Sequence, residues 1–120
     1  MIIKTDKFQK SEFSLKDVIL VPHKNYYFVL NIPDILYIKS EKSYCTIVMI
    51  SGTQHLLISG MKILMTKLPG YFIRVHHSYI INVCHAHSIH KGKMIKLNNN
   101  DEIPISRRKK RELFELVTVG

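Results

Sequence analysis

Short apolar runs rich in β-branched and aromatic residues recur about every ten positions from Leu15 onward. Turn-forming residues separate several of these runs, at residues 22–25, 51–52, 69–70, 91–92 and 98–101. Short strands divided by such turns are typical of antiparallel β structure. The predicted strands are residues 15–21, 26–30, 35–40, 44–50, 54–59, 71–75, 78–82, 94–97 and 102–106.

A short amphipathic helix is predicted within residues 59–69, where the strand pattern is interrupted. Apolar side chains recur there at i, i+3, i+4 and i+7, which places them on one helical face. These residues are Met61, Leu64, Met65 and Leu68. Ser59 is the predicted N-cap, and Pro69 ends the helix.

A second helix is predicted over residues 106–117, with Ser106 as its N-cap and an apolar stripe of Leu113, Leu116 and Val117. Its first turns carry an unbroken basic run, Arg107, Arg108, Lys109, Lys110 and Arg111. The helix dipole favours acidic residues at this end, so the basic start costs stability. Some other benefit is therefore expected to offset that cost.

The chain has 120 residues, which is the size of one domain. Residues 1–14 are mostly polar and charged, so we expect an N-terminal tail or linker there. Residues 15–120 are expected to form the folded domain, mainly β with one or two short helices. No apolar run approaches the roughly 20 residues of a membrane helix. The N-terminal segment also lacks the apolar region of a secretory signal.

The charge of the chain is unbalanced, with 18 lysines and arginines against 9 acidic residues and a net charge of +9. A fold does not need this imbalance, and the imbalance costs self-repulsion. It therefore indicates an anionic partner. Nucleic acid is the commonest such partner, and an anionic membrane is its main competitor.

Residues with catalytic chemistry form no recognisable constellation. The five glycines make no phosphate-binding loop, and the nine acidic residues lack the spacing of a metal-dependent nuclease. We therefore expect no enzymatic activity and no cofactor. The two cysteines, Cys45 and Cys84, cannot build a disulfide framework and are expected to be reduced thiols of a cytoplasmic protein.

One stretch, Cys84, His85, His87 and His90, invites a metal hypothesis. Its spacing does not match the paired ligands of structural zinc sites. On a strand, His85 and His87 would face one side and Cys84 and His90 the other, so the four ligands cannot converge without a bend. No metal site is predicted, and a solvated β edge is the alternative.

Residues 70–83 place several hydrogen-bonding side chains between apolar anchors, at a predicted strand-turn-strand corner. These side chains are Arg74, His76, His77, Ser78 and Asn82. Such a corner presents donors suited to phosphates and to base edges. The alternative is an ordinary strand whose alternate residues are exposed.

Four motifs now resemble, in order and at familiar separations, the pattern of LytTR domains. They are ILYIKSEKSYCTI (35–47), the helix and Leu-Pro of MKILMTKLPGYFIRVHHS (61–78), FIRVHHSYIIN (72–82) and EIPISRRKKREL (102–113). The resemblance extends from about Lys16 to Val117, which is nearly all of the predicted domain. The N-terminal tail lies outside it.

The resemblance implies an elongated fold of short antiparallel sheets with one or two small helices. It also implies sequence-specific binding of double-stranded DNA in bacterial transcription regulation. LytTR domains place loops in successive major grooves, usually at paired direct repeats in promoters, where two copies can bind as a homodimer. Most follow the receiver domain of a two-component response regulator, and others are freestanding or linked to membrane proteins. For this chain a receiver domain or sensor kinase upstream is therefore a possible partner, and no membrane partner is predicted.

The family's three DNA-contacting elements transfer to this chain residue by residue. The first loop maps onto Lys42, Ser43 and Tyr44. The second loop maps onto Arg74, His76, His77 and Ser78. The third element maps onto Ser106 and Arg107, and the basic residues that follow are expected to bind phosphates.

The predicted base-edge contacts are Tyr44, His77 and Arg107. An arginine such as Arg107 can bind guanine O6 and N7 together, whereas Tyr44 and a neutral His77 each offer a single hydrogen bond. The family more often has Arg, Lys or Asn at the position of His77, so this departure affects base preference. His76 and Asn82 are expected to fix the backbone of the corner.

Two other classes of function fit parts of the sequence. One is a small metal-dependent nuclease that uses the histidine-rich corner, which is disfavoured because no carboxylate ligands lie nearby. The other is a module that binds an anionic membrane or a protein through the basic helix. That helix has a basic start and an apolar end rather than two long opposed faces, so it fits a membrane surface poorly.

Overall fold

A computed structural model describes residues 17–117 and Gly120. The described residues form three short antiparallel sheets and two helices. The molecule is elongated, with principal extents of 49 × 34 × 25 Å. The expected fold class, mainly β with short sheets, is therefore confirmed. The predicted tail or linker at residues 1–14 lies outside the described residues.

The strands account for most of the regular structure between residues 17 and 117. They are β1 (Val18–His23), β2 (Tyr26–Asn31), β3 (Ile35–Glu41), β4 (Tyr44–Met49), β5 (Gln54–Leu57), β6 (Phe72–His76), β7 (Tyr79–Asn82), β8 (Ala86–His90), β9 (Met94–Leu97) and β10 (Glu102–Pro104). The helices are α1 (Met61–Met65) and α2 (Arg107–Leu116). Short 3-10 turns at Ile32–Asp34 and Val83–His85 lead into β3 and β8.

The central sheet has five strands in the order β5-β4-β3-β7-β6. A two-stranded sheet, β1-β2, and a three-stranded sheet, β10-β9-β8, accompany it. All nine predicted strands are present, with shifts at their ends. Strand β8 lies outside the nine apolar runs: it is an edge strand with the sequence AHSIH, and Ile89 within it is 41% exposed. It agrees with the solvated β edge that the sequence offered as the alternative to a metal site at residues 84–90. The pattern of apolar runs could not predict this strand, because three of its five residues are polar.

Two hydrophobic cores lie on opposite faces of the central sheet. The first joins the sheet to β1, β2 and α1, and its buried residues include Val21, Leu30, Ile38, Ile47, Leu64 and Ile80. The second joins the sheet to β9, β10 and α2, and its buried residues include Leu36, Val75, Ile81, Ile95, Ile103 and Leu113. Burial on both faces makes the central sheet the most constrained part of the fold.

A hydrogen bond links the central sheet to the turn between β9 and β10. The Tyr37 hydroxyl donates to Asp101 Oδ2 at 3.1 Å. Burial, followed by the neighbouring Asp101 carboxylate, raises the pKa of Tyr37 to about 12. The phenol therefore stays protonated at neutral pH and keeps donating this bond.

Strand β3 departs from simple alternation. A regular strand would put Ile35 and Tyr37 on one face and Leu36 and Ile38 on the other. Instead the register with β4 shifts between Ile35 and Tyr37. Ile35 and Ile38 belong to the first core, whereas Leu36 and Tyr37 pack in the second. This irregularity lets one strand supply large side chains to both cores.

Helix α1 is shorter than predicted and is capped differently. It spans Met61–Met65, and Gly60 occupies the N-cap position. The Ser59 hydroxyl donates to the Gly60 carbonyl at 3.1 Å and caps no helical N–H, so the predicted cap is wrong. The predicted apolar face is confirmed, because its four members are buried or pack against the first core.

Helix α2 begins at the predicted residue, but fewer of its apolar side chains are buried than predicted. Ser106 Oγ accepts the Lys109 N–H at 3.2 Å, which confirms the N-cap. Of the predicted stripe, only Leu113 is buried, at 3% exposure. Leu116 is 70% and Val117 38% exposed, so the prediction of a three-residue stripe is wrong. Helix α2 is therefore held mainly at its first two turns.

One buried amide connects the ends of the central strands. The side chain of Asn82 is fully buried at the end of β7. Its Nδ2 donates to the carbonyls of Pro33 at 3.2 Å and Ile35 at 2.9 Å. Its Oδ1 accepts the Cys84 N–H at 2.9 Å. The amide thus joins β7 to the start of β3 and to the turn that leads into β8. Asn82 therefore fixes backbone, but at the end of β7 opposite the predicted corner, so the predicted location of its role is wrong.

Asn82→Ala should destabilise the fold strongly. The substitution removes three hydrogen bonds, including the one to the carbonyl of the buried Ile35, and it leaves a cavity where the buried amide was. We expect this to cost about 3 kcal/mol of unfolding free energy. Chemical denaturation at neutral pH measures the change. Asn98→Ala is the control: Asn98 is exposed in a turn, so its replacement should change stability by less than about 0.5 kcal/mol. Equal denaturation midpoints for the two variants would contradict this role of Asn82.

Candidate nucleic-acid interface

The two loops identified from the sequence lie at the same end of the central sheet. Strand β3 pairs antiparallel with both β4 and β7. The turn after β3, at residues 42–43, and the turn before β7, at residues 77–78, therefore meet at one end. The Ser40 N–H donates to the Ser78 carbonyl at 2.8 Å, which fastens the two loops together.

The first loop is a tight turn with an unusual backbone. Lys42 has a φ of 53°, in the left-handed region that lysine rarely adopts. Lys42 and Ser43 are exposed, and Tyr44 is half-buried at the start of β4. Tyr44 pairs with Glu41 across the turn. The pairing of β3 with β4 thus holds two exposed polar side chains at the tip.

Two side chains hold the backbone of the second loop. Arg74 Nη2 donates to the His77 carbonyl at 2.7 Å, and His76 Nδ1 accepts the Ser78 N–H at 3.1 Å. The rings of His76 and His77 are in contact, with centroids 4.3 Å apart and planes tilted by 31°. Arg74 and His76 therefore shape the loop, while His77 is exposed at its tip.

The hydrogen bond to His76 fixes its protonation. Because Nδ1 accepts an N–H, that nitrogen carries no proton in the folded loop. Burial, followed by the adjacent His77, lowers the pKa of His76 from its usual value near 6.5. The second loop therefore has its described geometry when His76 is neutral.

The third element, the start of α2, is fastened beside the second loop. The Ser106 N–H donates to the Val75 carbonyl at 2.9 Å, one residue before His76. Ser106 also caps α2 through its hydroxyl. The basic run therefore begins where β6 enters the second loop, and its position follows from two hydrogen bonds of Ser106.

The basic run of α2, residues 107–111, lines two separate depressions at the protein surface. One depression is lined by Arg74, His77, Ser106, Arg108 and Lys109. The other is lined by Arg107, Lys110, Arg111 and Phe114. Successive residues of a helix point about 100° apart, which separates Arg107 from Arg108. The structure thus brings His77 together with Arg108 and Lys109, and it places Arg107 on the neighbouring face.

Cations dominate both depressions, and no carboxylate lines either of them. Arg74 Nε is buried and has no hydrogen-bond partner among the described residues. Lys109 Nζ lies 3.3 Å from Glu112 Oε1, an exposed pair that contributes little to stability. The arrangement costs repulsion in the free protein, and an anion bound there would relieve it.

A further basic turn, which the sequence indicates only as a turn, lies beside this surface. Lys91 and Lys93 flank Gly92 between β8 and β9, and both are exposed. A Cβ atom on Gly92 would contact Lys110 Cε, so the Lys110 side chain lies directly over this turn. In the sequence, the only indication that this turn is basic was a glycine with a lysine on each side, Lys91-Gly92-Lys93.

The histidines of residues 84–90, which were considered as metal ligands, form hydrogen bonds with protein atoms instead. His85 Nε2 lies 2.8 Å from the Pro33 carbonyl oxygen. His87 Nδ1 and His90 Nε2 lie 3.1 and 2.7 Å from Ser88 Oγ. Within residues 17–117, no group of three or more His, Cys, Asp or Glu side chains is placed to hold a metal ion. Cys45 is buried and Cys84 exposed, and both are free thiols.

The family model of the LytTr DNA-binding domain matches residues 25–118. The chain belongs to the LytTR DNA-binding domain family. A comparison with curated protein sequences finds no significant match. No helix in the described part of this LytTR domain has both the length and the apolar character needed to cross a membrane.

A solved structure supports the fold of this LytTR domain. It is the LytTr DNA-binding domain of a protein from Bacillus cereus described as a methyl-accepting/DNA response regulator. The TM-score is 0.75 at 17% sequence identity, over 83% of this chain and 95% of that chain. The resemblance inferred from the four motifs is thereby confirmed for both family and fold.

His76 should titrate below the usual histidine value of about 6.5 in the free protein. Its folded pKa is lowered, so the unfolded state binds the additional proton first as the pH falls. Stability should therefore decrease below about pH 6.5 and be unaffected by this group above it. NMR titration of the ring protons, together with denaturation at several pH values, measures both effects.

His76→Asn is the matched variant for this titration. Its side-chain oxygen can accept the same Ser78 N–H without titrating. This variant should lose the part of the pH dependence that belongs to His76. A His76 pKa at or above 6.5 would contradict the described hydrogen bond.

Proposed function

We propose that this LytTR domain binds double-stranded DNA in a sequence-specific manner and regulates transcription. The observation that carries the proposal is the convergence of three elements at one end of the molecule. Residues 42–44, residues 76–78 and the start of α2 are joined by the Ser40–Ser78 and Val75–Ser106 backbone hydrogen bonds. Exposed polar and basic side chains of all three elements are thus available to one duplex.

Affinity is proposed to come mainly from phosphate neutralisation. The net charge of +9 and the basic lining of both depressions support this. Lysines and arginines release condensed counterions when they bind phosphates, which makes binding sensitive to salt. The residues proposed to contact or position the DNA backbone are Lys42, Ser43, Arg74, His76, Ser78, Ser106, Arg108, Lys109, Lys110 and Arg111. Of these, Arg74 and His76 would act through the loop backbone that they hold.

Specificity is proposed to come from one side chain of each element. Tyr44, His77 and Arg107 are the proposed base-edge contacts. His77 and Arg107 are exposed, and Tyr44 is half-buried beside the exposed tip of its loop. Arg107 would read guanine through a bidentate pair of hydrogen bonds, and His77 and Tyr44 would each add a single bond.

The proposed biological setting is a bacterial cytoplasm. The domain would bind paired direct repeats in a promoter, as a homodimer on the DNA. It would act as the output domain of a two-component response regulator or as a freestanding regulator. The response-regulator description of the Bacillus cereus neighbour supports this setting. Neither a metal-dependent nuclease nor a membrane-binding module gains a supporting observation from the described residues.

Selection of bound sequences from a random duplex pool tests the proposal directly. We expect enrichment of one motif, present as two direct repeats. If about six phosphates are neutralised, log K on the selected duplex should fall with log salt at a slope near −5. Absence of an enriched sequence, or a slope near zero, would overturn the proposed function.

Arg107→Ala should weaken binding to the selected duplex by about 1–3 kcal/mol and binding to a scrambled duplex much less. Arg107→Lys should not restore the loss, because an ammonium group cannot reproduce the planar bidentate fork. Fluorescence anisotropy isotherms on both duplexes, at one fixed salt concentration, measure these changes.

Arg111→Ala is the control for Arg107, because it removes the same charge one helical turn away in the same depression. It should weaken binding to both duplexes by a similar factor and reduce the salt slope by about 1. Equal losses on both duplexes for Arg107→Ala would make Arg107 a phosphate contact and leave base reading to Tyr44 and His77.

A further inference from the structure

The turn between β8 and β9 lies next to the start of α2, which is the third of the three proposed DNA-contacting elements. The Ile105 N–H donates to the Lys93 carbonyl at 2.9 Å, immediately before Ser106 and the start of α2. The Ser106 N–H in turn donates to Val75, beside the second loop. Backbone hydrogen bonds therefore connect the first loop, the second loop, the start of α2 and residues 91–93 in that order.

The positive charge that Lys91 and Lys93 give this turn is not needed for the fold. Lys91 and Gly92 have φ values of 53° and 67°, and Lys93 N–H donates to the His90 carbonyl at 3.0 Å. Asn or Asp followed by Gly is the usual sequence for a hairpin turn with two positive φ values. Lysine adopts positive φ less readily than Asn or Asp, and at the first position of the turn it also adds a positive charge.

Lys110 brings a third cation to the same place. Its side chain lies over Gly92, and its Nζ lies 6.0 Å from the centre of the Phe114 ring. A larger residue at position 92 would require the Lys110 side chain to move. The three lysines, Lys91, Lys93 and Lys110, thus gather around one glycine.

We propose that the β8–β9 turn is a fourth DNA-contacting element, with Lys91 and Lys93 binding backbone phosphates at the border of the site. This proposal rests on the proposed function and extends its footprint beyond α2. Lysine is a flexible point charge, suited to phosphate and not to bidentate base reading. The turn would therefore add affinity and fix the register of the domain on the duplex without adding sequence preference.

The test uses substitutions that remove the charge and preserve the turn. Lys91→Asn keeps a residue that tolerates positive φ, and Lys93→Gln keeps an extended polar side chain. Circular dichroism and the thermal midpoint should match those of the unchanged protein. On the selected duplex, the double variant should reduce the magnitude of the salt slope by about 2, and each single variant by about 1.

Lys67→Gln is the matched control for charge. Lys67 is exposed and lines a depression with Ile32 and Pro69. Ile32 precedes the start of β3, so this depression lies at the end of the central sheet opposite the two loops. Loss of the Lys67 charge should leave the salt slope nearly unchanged.

Hydroxyl-radical footprinting provides the second measurement. The double variant should lose protection of the DNA backbone at one border of the footprint and retain the remainder. Salt slopes and footprints equal to those of Lys67→Gln would overturn the fourth element and leave the proposed function intact. Failure of the unchanged protein to bind any duplex would instead overturn the proposed function, and the fourth element with it.

Discussion

The buried amide of Asn82 is the interaction on which the arrangement of this domain depends. Its three hydrogen bonds join the end of β7 to the start of β3 and to the turn before β8. The β3–β7 pair is the middle of the central sheet, and both loops of the candidate interface extend from its other end. A slip of one residue in this pair would exchange the two faces of a strand and misplace both loops. The buried amide makes such a slip costly, because its partners would be left unsatisfied.

The fold places its stability and its charge in different regions. Two cores cover the faces of the central sheet, and the basic run of α2 and Arg74 line two depressions at one end of it. The first turn of α2 opposes the helix dipole, and no acidic residue in that turn offsets it. The Ser106 cap and its bond to Val75 hold the helix start in spite of this cost. An end built in this way is suited to a polyanion, because phosphate binding removes the repulsion that the free protein carries.

Sequence patterns predicted most of the fold, and the exceptions have identifiable physical causes. Apolar alternation located nine strands, but it could not indicate β8, an edge strand with little to bury. It could not indicate the irregularity in β3 either, because only the partner strands reveal which core receives Leu36. For the candidate interface, motif spacing pointed to three elements, and the structure brings these elements together at one end of the sheet. The helical step already separates Arg107 from Arg108, and His76 holds the corner backbone as predicted. The sequence could not indicate that Arg74 holds the His77 carbonyl, or that the second loop and the start of α2 share one depression, because these depend on how the chain folds in three dimensions.

The way the second loop is held bears on how a single exposed imidazole could contribute to specificity. A neutral histidine offers one hydrogen bond to a base edge, which discriminates less than a bidentate pair. That bond gains value when little conformational entropy is lost in forming it. Arg74 holds the carbonyl of His77, and His76 holds the next N–H, so the backbone on both sides of the His77 side chain is fixed before any ligand arrives. If His77 reads a base as proposed, the loop would compensate for a single hydrogen bond by fixing the position of the imidazole. This arrangement requires His76 to stay neutral, because its Nδ1 accepts the Ser78 N–H.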